Sequence, residues 1–170
     1  YNIGLISRKL GRQADEIDAW KRYLSVVRTG DPAFRAVKRL NGYGDFSYRI
    51  YRIGIRKIIA NQELLLGDAY SDEQRFEELA PLTSILNANN NLALEIVVFV
   101  EHDVETAYQK ATELKRILSA SLGSRAPYRL RLSWFDQPED IALPGKETIS
   151  LSEGLLLFTR PMPPSQTHEA

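Results

Sequence analysis

The chain has 170 residues, 44% of them hydrophobic and 26% charged, with 22 basic side chains, 22 acidic ones and no cysteine. That length supports one ordinary core, or a medium domain with a small helical piece attached, and the balanced charge argues against a dedicated nucleic-acid binder and against an acidic disordered tail. No apolar run approaches the ~20 residues a membrane helix needs, and without cysteine there are no disulfides, thiolate nucleophiles or cysteine zinc sites. The single Met stands at 162 and the first residue is Tyr1, so the sequence reads as a piece of a longer protein, with any signal peptide lost upstream.

Charge is unevenly spread. Residues 1–60 carry 13 Lys and Arg against 5 Asp and Glu, whereas residues 61–170 carry 9 against 17. Such asymmetry fits two pieces that attract each other within one molecule, or a basic face turned to an anionic partner.

The first 42 residues read as three short helices. Ile3, Ile6 and Leu10 fall at helical spacing before Gly11; Ile17, Trp20, Leu24 and Val27 form a second stripe ending at Thr29-Gly30. Asp31-Pro32 opens a third helix with Phe34, Val37 and Leu40 inside, and Asn41-Gly42 ends it. The period then changes: Tyr51, Ile53 and Ile55 alternate with Arg52, Gly54 and Arg56, which is strand spacing. Ser71 with Gln74 makes a capping box for a helix faced by Phe76, Leu79, Leu82 and Leu86, which Pro81 is expected to kink or split. Leu92 to Val100 predicts a central strand buried on both faces. Ala107, Ala111, Leu114, Leu118 and Leu122 predict a long helix closed by Gly123, and Leu130, Leu132 and Trp134 a further strand. Thr148 to Thr159 predicts a last strand broken at Gly154, and from Pro161 the Pro/Ser/Gln-rich sequence predicts a disordered tail. The order after residue 48 is thus β-α-β-α-β-β, an α+β or α/β sandwich with helices on one sheet face, preceded by a short all-α segment.

Two family resemblances appear. The run Tyr1-Asn2-Ile3-Gly4-Leu5-Ile6-Ser7-Arg8-Lys9-Leu10-Gly11-Arg12, continued by Ile17-Asp18-Ala19-Trp20-Lys21-Arg22-Tyr23-Leu24, resembles one tetratricopeptide repeat, with Glu16 and Tyr23 at positions where that family favours small residues. The resemblance implies further repeats before Tyr1, because a lone repeat buries too little, and a capping helix over 31–42. From about residue 50 to 160, strand Leu94–Val100, then Glu101-His102-Asp103, Ala107-Tyr108-Gln109 and Lys115-Arg116, resemble the OmpA-like C-terminal domain of bacterial envelope proteins. The chain departs from that family's motif at Val100, Glu101, His102 and Ile117. The resemblance implies that Asp103 and Arg116 are the ligand pair for the diaminopimelate of peptidoglycan, one accepting from an ammonium and the other clamping a carboxylate.

Other chemistry is weakly signalled. Glu101-His102-Asp103 offers three metal-type ligands, but neighbouring residues at a strand end point in alternating directions; His168 lies in the tail. With two histidines and no Gly-x-Ser-x-Gly elbow, neither nucleophilic catalysis nor a cofactor is expected. The run Tyr43 to Lys57 interleaves Tyr43, Phe46, Tyr48 and Tyr51 with Arg49, Arg52, Arg56 and Lys57, a pattern open to base stacking or to a half-buried strand. The expectation is a non-enzymatic envelope protein of the periplasm or outer membrane, of lipoprotein type: tetratricopeptide-like helices over 1–46, an OmpA-like domain over 47–160 and a tail over 161–170. Its expected partners are a protein and peptidoglycan. A pure protein–protein interaction module is the alternative, and an anionic-polymer or nucleic-acid binder using the basic first third is a weaker one.

Overall fold

The structure, a computed structural model, describes residues 11–145 and 147–162. The expected first helix with Ile3, Ile6 and Leu10, and the tail segment with His168, lie outside the described residues. The chain is a mixed α+β fold built around two apolar cores.

The smaller core belongs to helices α1 (Gln13–Leu24) and α2 (Asp31–Gly42). Acidic residues in the first turn of α1 and basic ones in its last complement the helix dipole. Gly30, at a φ of 88°, reverses the chain so that Pro32 can enter the first turn of α2. Trp20 and Leu24 of α1 bury against Ala33, Ala36, Val37 and Leu40 of α2. Glu16, at a position that departs from the repeat pattern, is 1% exposed and inside this core. Its carboxylate accepts hydrogen bonds from Tyr43 Oη at 2.6 Å, Trp20 Nε1 at 3.1 Å and Arg39 Nε at 3.4 Å. Burial alone would raise its pKa, but the donations from Tyr43 and Trp20 and the Arg39 charge outweigh it and hold the carboxyl below the usual range.

Strands β1 (Tyr48–Ile53) and β2 (Arg56–Asn61) form an antiparallel hairpin with Tyr48 opposite Asn61 and Ile53 opposite Arg56. The return strand was not expected. It exists because Gly54, at a φ of 63°, turns the chain in two residues and leaves Ile55 wholly exposed at the tip instead of continuing the stripe. Tyr48 and Ile59 face the small core; Tyr51, Ile53, Ile58 and Ala60 face the larger one. This two-sided burial also accounts for most rings of the basic and aromatic run, since Phe46, Tyr48 and Tyr51 are buried.

The larger core joins the hairpin to a sheet carrying two long helices. A one-and-a-half-turn helix α3 (Gln62–Leu66) leads to α4 (Asp72–Ala88), whose capping box forms as expected: Gln74 N–H donates to Ser71 Oγ, and Ser71 N–H to Gln74 Oε1. Pro81 does not split the helix, which runs unbroken from Asp72 to Ala88. Pro81 sits on the exposed face of α4, where water can satisfy the carbonyl its missing N–H leaves behind. Phe76 is half exposed rather than inside, and Ile85 joins Leu79, Leu82 and Leu86 on the buried face.

Strand β3 (Leu92–Val100) is central, parallel to β4 (Leu130–Phe135) through helix α5 (Val104–Leu122), and antiparallel to β7 (Glu153–Pro161). A 3₁₀ turn (Gly123–Arg125) and a short helix α6 (Ala126–Arg129) return the chain to β4. Leu94, Ile96 and Val98 of β3 and Leu155 and Leu157 of β7 meet α4 and α5 in one core, so both long helices lie on one sheet face. Arg129 is buried at the α6–β4 junction, where its guanidinium donates to the carbonyls of Leu86, Asn89 and Leu92 and ties the end of α4 to the start of β3.

The last expected strand is two. β6 (Thr148–Leu151) pairs with an unexpected β5 (Glu139–Ala142), and the chain bends at Ser152, not at Gly154, into β7. The β5–β6 hairpin turns through Pro144-Gly145, with Gly145 at a φ of 66°. Pro161 closes β7 and Met162 N–H donates to the Asn91 carbonyl, so the ordered chain runs past the expected start of the tail.

Gly154 is required by contact rather than by a turn: a methyl group there would stand 2.5 Å from Phe99 Cζ. Gly154→Ala is expected to lower stability by roughly 1–3 kcal/mol in urea titration, with an unchanged slope. For Glu16, the lowered pKa means a stabilisation that is full above the unfolded value of about 4.3 and is lost as pH falls through and below it. Melting temperature is therefore expected to fall more steeply between about pH 5 and pH 3 in the wild type than in Glu16→Gln, measured side by side.

Candidate functional site

Helix α5 carries both residues singled out from the sequence. Asp103 is its N-cap: the carboxylate accepts from Thr106 N–H at 3.0 Å and from Thr106 Oγ1 at 2.6 Å. These two donations hold the exposed carboxyl below the usual carboxylate range. Arg116 stands thirteen residues on, and its guanidinium donates to Asp72 of α4 at 2.6 Å and to Glu113. Glu113 and Asp72 push the Arg116 pKa further up, and Arg116 in turn draws the Asp72 carboxyl down. At 1.5 Å per residue the two Cα positions are about 20 Å apart along the helix axis. The structure therefore does not bring Asp103 and Arg116 together around one small group.

Between them runs a cleft. Thr106, Gln109, Lys110 and Glu113 of α5 face Leu65, Leu66 and Asp68 of the α3 end and Arg75 of α4 across a cavity of about 330 Å³. It adjoins a second cavity of about 490 Å³, with which it shares Leu66, Asp68 and Lys110, and which Gly44, Asp45, Ser47, Gln62, Glu63 and Glu153 also line. Spacings of three and four residues from Asp103 through Thr106, Lys110 and Glu113 to Arg116 follow one helix stripe. Asp103 thus fixes the stripe's first residue and Arg116 its last.

The cleft walls are held by their own bonds. Gln62 is buried; its amide donates to the Phe46 carbonyl and accepts from Leu155 N–H at 3.0 Å, which fixes the start of α3 against β7. Arg75 donates to the Gly67 carbonyl and pairs with Asp72 at 3.5 Å; Lys110 pairs with Glu153. Cations (Arg75, Lys110) and carboxylates (Asp68, Glu113, Glu153) line the same opening, so the cleft offers partners to both ends of a zwitterion. His102, in the turn before α5, has a φ of 61° and an exposed ring 3.6 Å from Glu101. Among the described residues no group of three or more His, Asp or Glu side chains is arranged to hold a metal ion.

Arg75, Lys110, Asp68 and Glu153 were not singled out from the sequence. A stripe at three- and four-residue steps beginning from the Asp103 cap would have found Lys110. The others come from segments that only the folded chain brings alongside.

A third concavity, of about 420 Å³, lies on the sheet face opposite the helices. Val97, Phe99 and Leu156 floor it, and Phe135 and Phe158, each half exposed, flank it. Arg49 holds its rim by a bidentate pair to Glu139 at 2.7 and 3.1 Å.

The cap gives a direct test of how α5 is set. Asp103→Ala is expected to cost about 1 kcal/mol in chemical denaturation while Asp103→Asn, which keeps the cap oxygen, costs only a few tenths.

Comparison with known proteins adds no family: no family model matches the chain, and no curated protein matches it.

Proposed function

We propose that this chain is a non-enzymatic binding and scaffolding part of a bacterial cell-envelope protein of the periplasm or outer membrane. In this reading the sheet and its two helices are an OmpA-like domain that docks on peptidoglycan, and the tetratricopeptide-like helices present a protein-binding surface. With the return strand β2, the short helices α3 and α6 and the β5–β6 hairpin set aside as additions, the element order is strand, helix, strand, helix, strand, strand, with both long helices on one face of the three-stranded sheet and β1 outside that sheet. That order supports the resemblance carried by residues 94–116.

The observation that carries the proposal is the α5 stripe. Lys110 lines a cleft of mixed charge, and Asp103 and Arg116 stand on the same helix beyond the cleft residues at either end. A peptide side stem of peptidoglycan carries free amines and carboxylates on an extended chain. The diaminopimelate ammonium would meet a carboxylate and its carboxylates the Lys110 or Arg75 cation, each a charge-assisted hydrogen bond. Asp103 and Arg116 then engage opposite ends of an extended ligand rather than one residue of it.

A second reading, an interaction module without wall binding, is favoured by the apolar face around Phe135 and Phe158. Among the described residues no helix is long and apolar enough to cross a membrane.

Co-sedimentation with insoluble diaminopimelate-type peptidoglycan separates the two. The expected result is that the 170-residue chain pellets at moderate salt, that Lys110→Gln and Arg116→Gln stay mostly in the supernatant, and that Asp103→Asn is weakened. Wild-type protein remaining in the supernatant would sink the wall-binding reading and leave the interaction module.

A further inference from the structure

Part of the excess positive charge of the first 60 residues is neutralised by ion pairs, and part of it is gathered in one place. Lys21 pairs with Asp45, Arg28 with Glu78, Arg39 with Glu16 and Arg49 with Glu139. Lys38, Arg52, Arg56 and Lys57 have no carboxylate partner among the described residues, and all four are exposed. They gather at one place, where the tip of the β1–β2 hairpin overhangs α2. Lys38, Arg56 and Lys57 line a cavity of about 450 Å³ there, with Phe34, Ile50 and Ile55 as its apolar lining and Asp31 as its single acid.

Two features of this place are unfavourable in the chain by itself. Arg52 and Lys57 are directly opposite in the hairpin register, a like-charge cross-strand pair that repels. Ile55 is fully exposed at the tip, between Gly54 and Arg56. An anionic partner with an apolar residue would relieve both at once. It would neutralise the opposed cations and cover Ile55 against Phe34 and Ile50.

We propose that the hairpin tip and α2 form a docking surface for an acidic peptide segment of a partner protein, anchored by one large apolar side chain in the cavity between Phe34, Ile50 and Ile55. A concave apolar lining ringed by point charges suits a side chain that inserts. A single protruding aliphatic residue is too small an anchor for a bilayer, which takes a whole amphipathic face. Single-stranded nucleic acid needs exposed rings to stack on, and Phe46, Tyr48 and Tyr51 of this region are buried. This surface is built from other residues than the cleft beside α5, so the inference stands or falls apart from wall binding.

The test uses the whole chain and a labelled synthetic peptide of about twelve Asp and Glu residues around one central Leu, followed by anisotropy. Binding is expected to weaken as salt is raised, about tenfold or more in Arg56→Glu/Lys57→Glu, and about fivefold in Ile55→Ser or with Ser in place of the peptide's Leu. Arg52→Glu, which turns the repelling pair into an attracting one, is expected to raise the melting temperature by about 1–3 °C, which also shows that the altered tip folds. Equal affinity of wild type and the doubly reversed variant, with both folded by circular dichroism, would overturn the proposal. So would capture of phosphatidylglycerol vesicles or oligothymidylate in preference to the peptide.

Discussion

A two-stranded hairpin buried on both faces is the constraint from which the rest of this structure follows. Isolated in water, β1 and β2 would be marginal. Here Tyr48 and Ile59 sit in the core of α1 and α2, and Tyr51, Ile53, Ile58 and Ala60 in the core of the sheet and long helices. The junction is fastened by Arg28, whose guanidinium makes a bidentate pair with Glu78 of α4 and lies 4.9 Å above the Tyr48 ring. Glu78 also accepts from Asn61 N–H at 3.1 Å, at the point where β2 becomes α3. One carboxylate thus bonds the helical segment, the hairpin end and α4. Truncating either partner would leave a charge in a mostly dry junction, which is why such pairs are costly to break singly. Tyr51, fully buried, donates its hydroxyl to the Leu155 carbonyl at 2.9 Å and locks the hairpin to β7, and burial pushes its pKa up.

The same geometry makes the two surfaces described above. Because β2 leads directly into α3, the hairpin's inner end and the Gln62 amide set one wall of the cleft, and α5 sets the other. Its outer end lies beside α2 and carries Arg52, Arg56 and Lys57, with Arg56 and Lys57 facing Lys38 of α2 across one cavity. Helix α5 serves both purposes because its faces differ: Ala107, Ala111, Leu114 and Leu118 fill the core, while Thr106, Lys110 and Glu113 look into the cleft. The small residues Ala107 and Ala111 let the helix approach the sheet closely, and this brings Lys110 within reach of Glu153 on β7.

Periodicity made the long elements legible. The α1, α2, α4 and α5 stripes, the capping box at Ser71 and the continuous apolar run of β3 all mark elements that exist near their expected bounds. What escaped reading depends on tertiary contact or on short turns. Gly54-Ile55 and Pro144-Gly145 each announce a hairpin, but the strands beside them are four to six residues long and carry too few positions to show a period. Phe76 was assigned inward because its spacing fits, yet it is half exposed, while Leu79, Leu82 and Leu86 stay inside and Ile85 joins them. Arg129 continues an alternating pattern with Leu130 and Leu132, but the carbonyls of Leu86, Asn89 and Leu92, at the end of α4 and the start of β3, accept from its guanidinium and draw it inside. For the candidate site, Asp103 and Arg116 were legible as residues on α5 and their separation was not, since a motif gives order but no distance. Asp68, Arg75 and Glu153 reach the cleft from segments far apart in sequence, which no local pattern records.

The claim that the hairpin couples the two cores into one cooperative body is open to a direct measurement. The chain has two tryptophans, one on each side: Trp20 is buried in the α1–α2 core, and Trp134 lies on β4 with its ring 4.8 Å from that of Tyr108 on α5. A urea titration of the fluorotryptophan-labelled chain, followed by fluorine NMR, reads both sides in one sample without a substitution. The expected result is one midpoint and one slope for the two resonances. A Trp20 resonance that shifts to its unfolded position at lower urea than Trp134 would mean that the helical segment melts by itself, and that the hairpin does not join the cores.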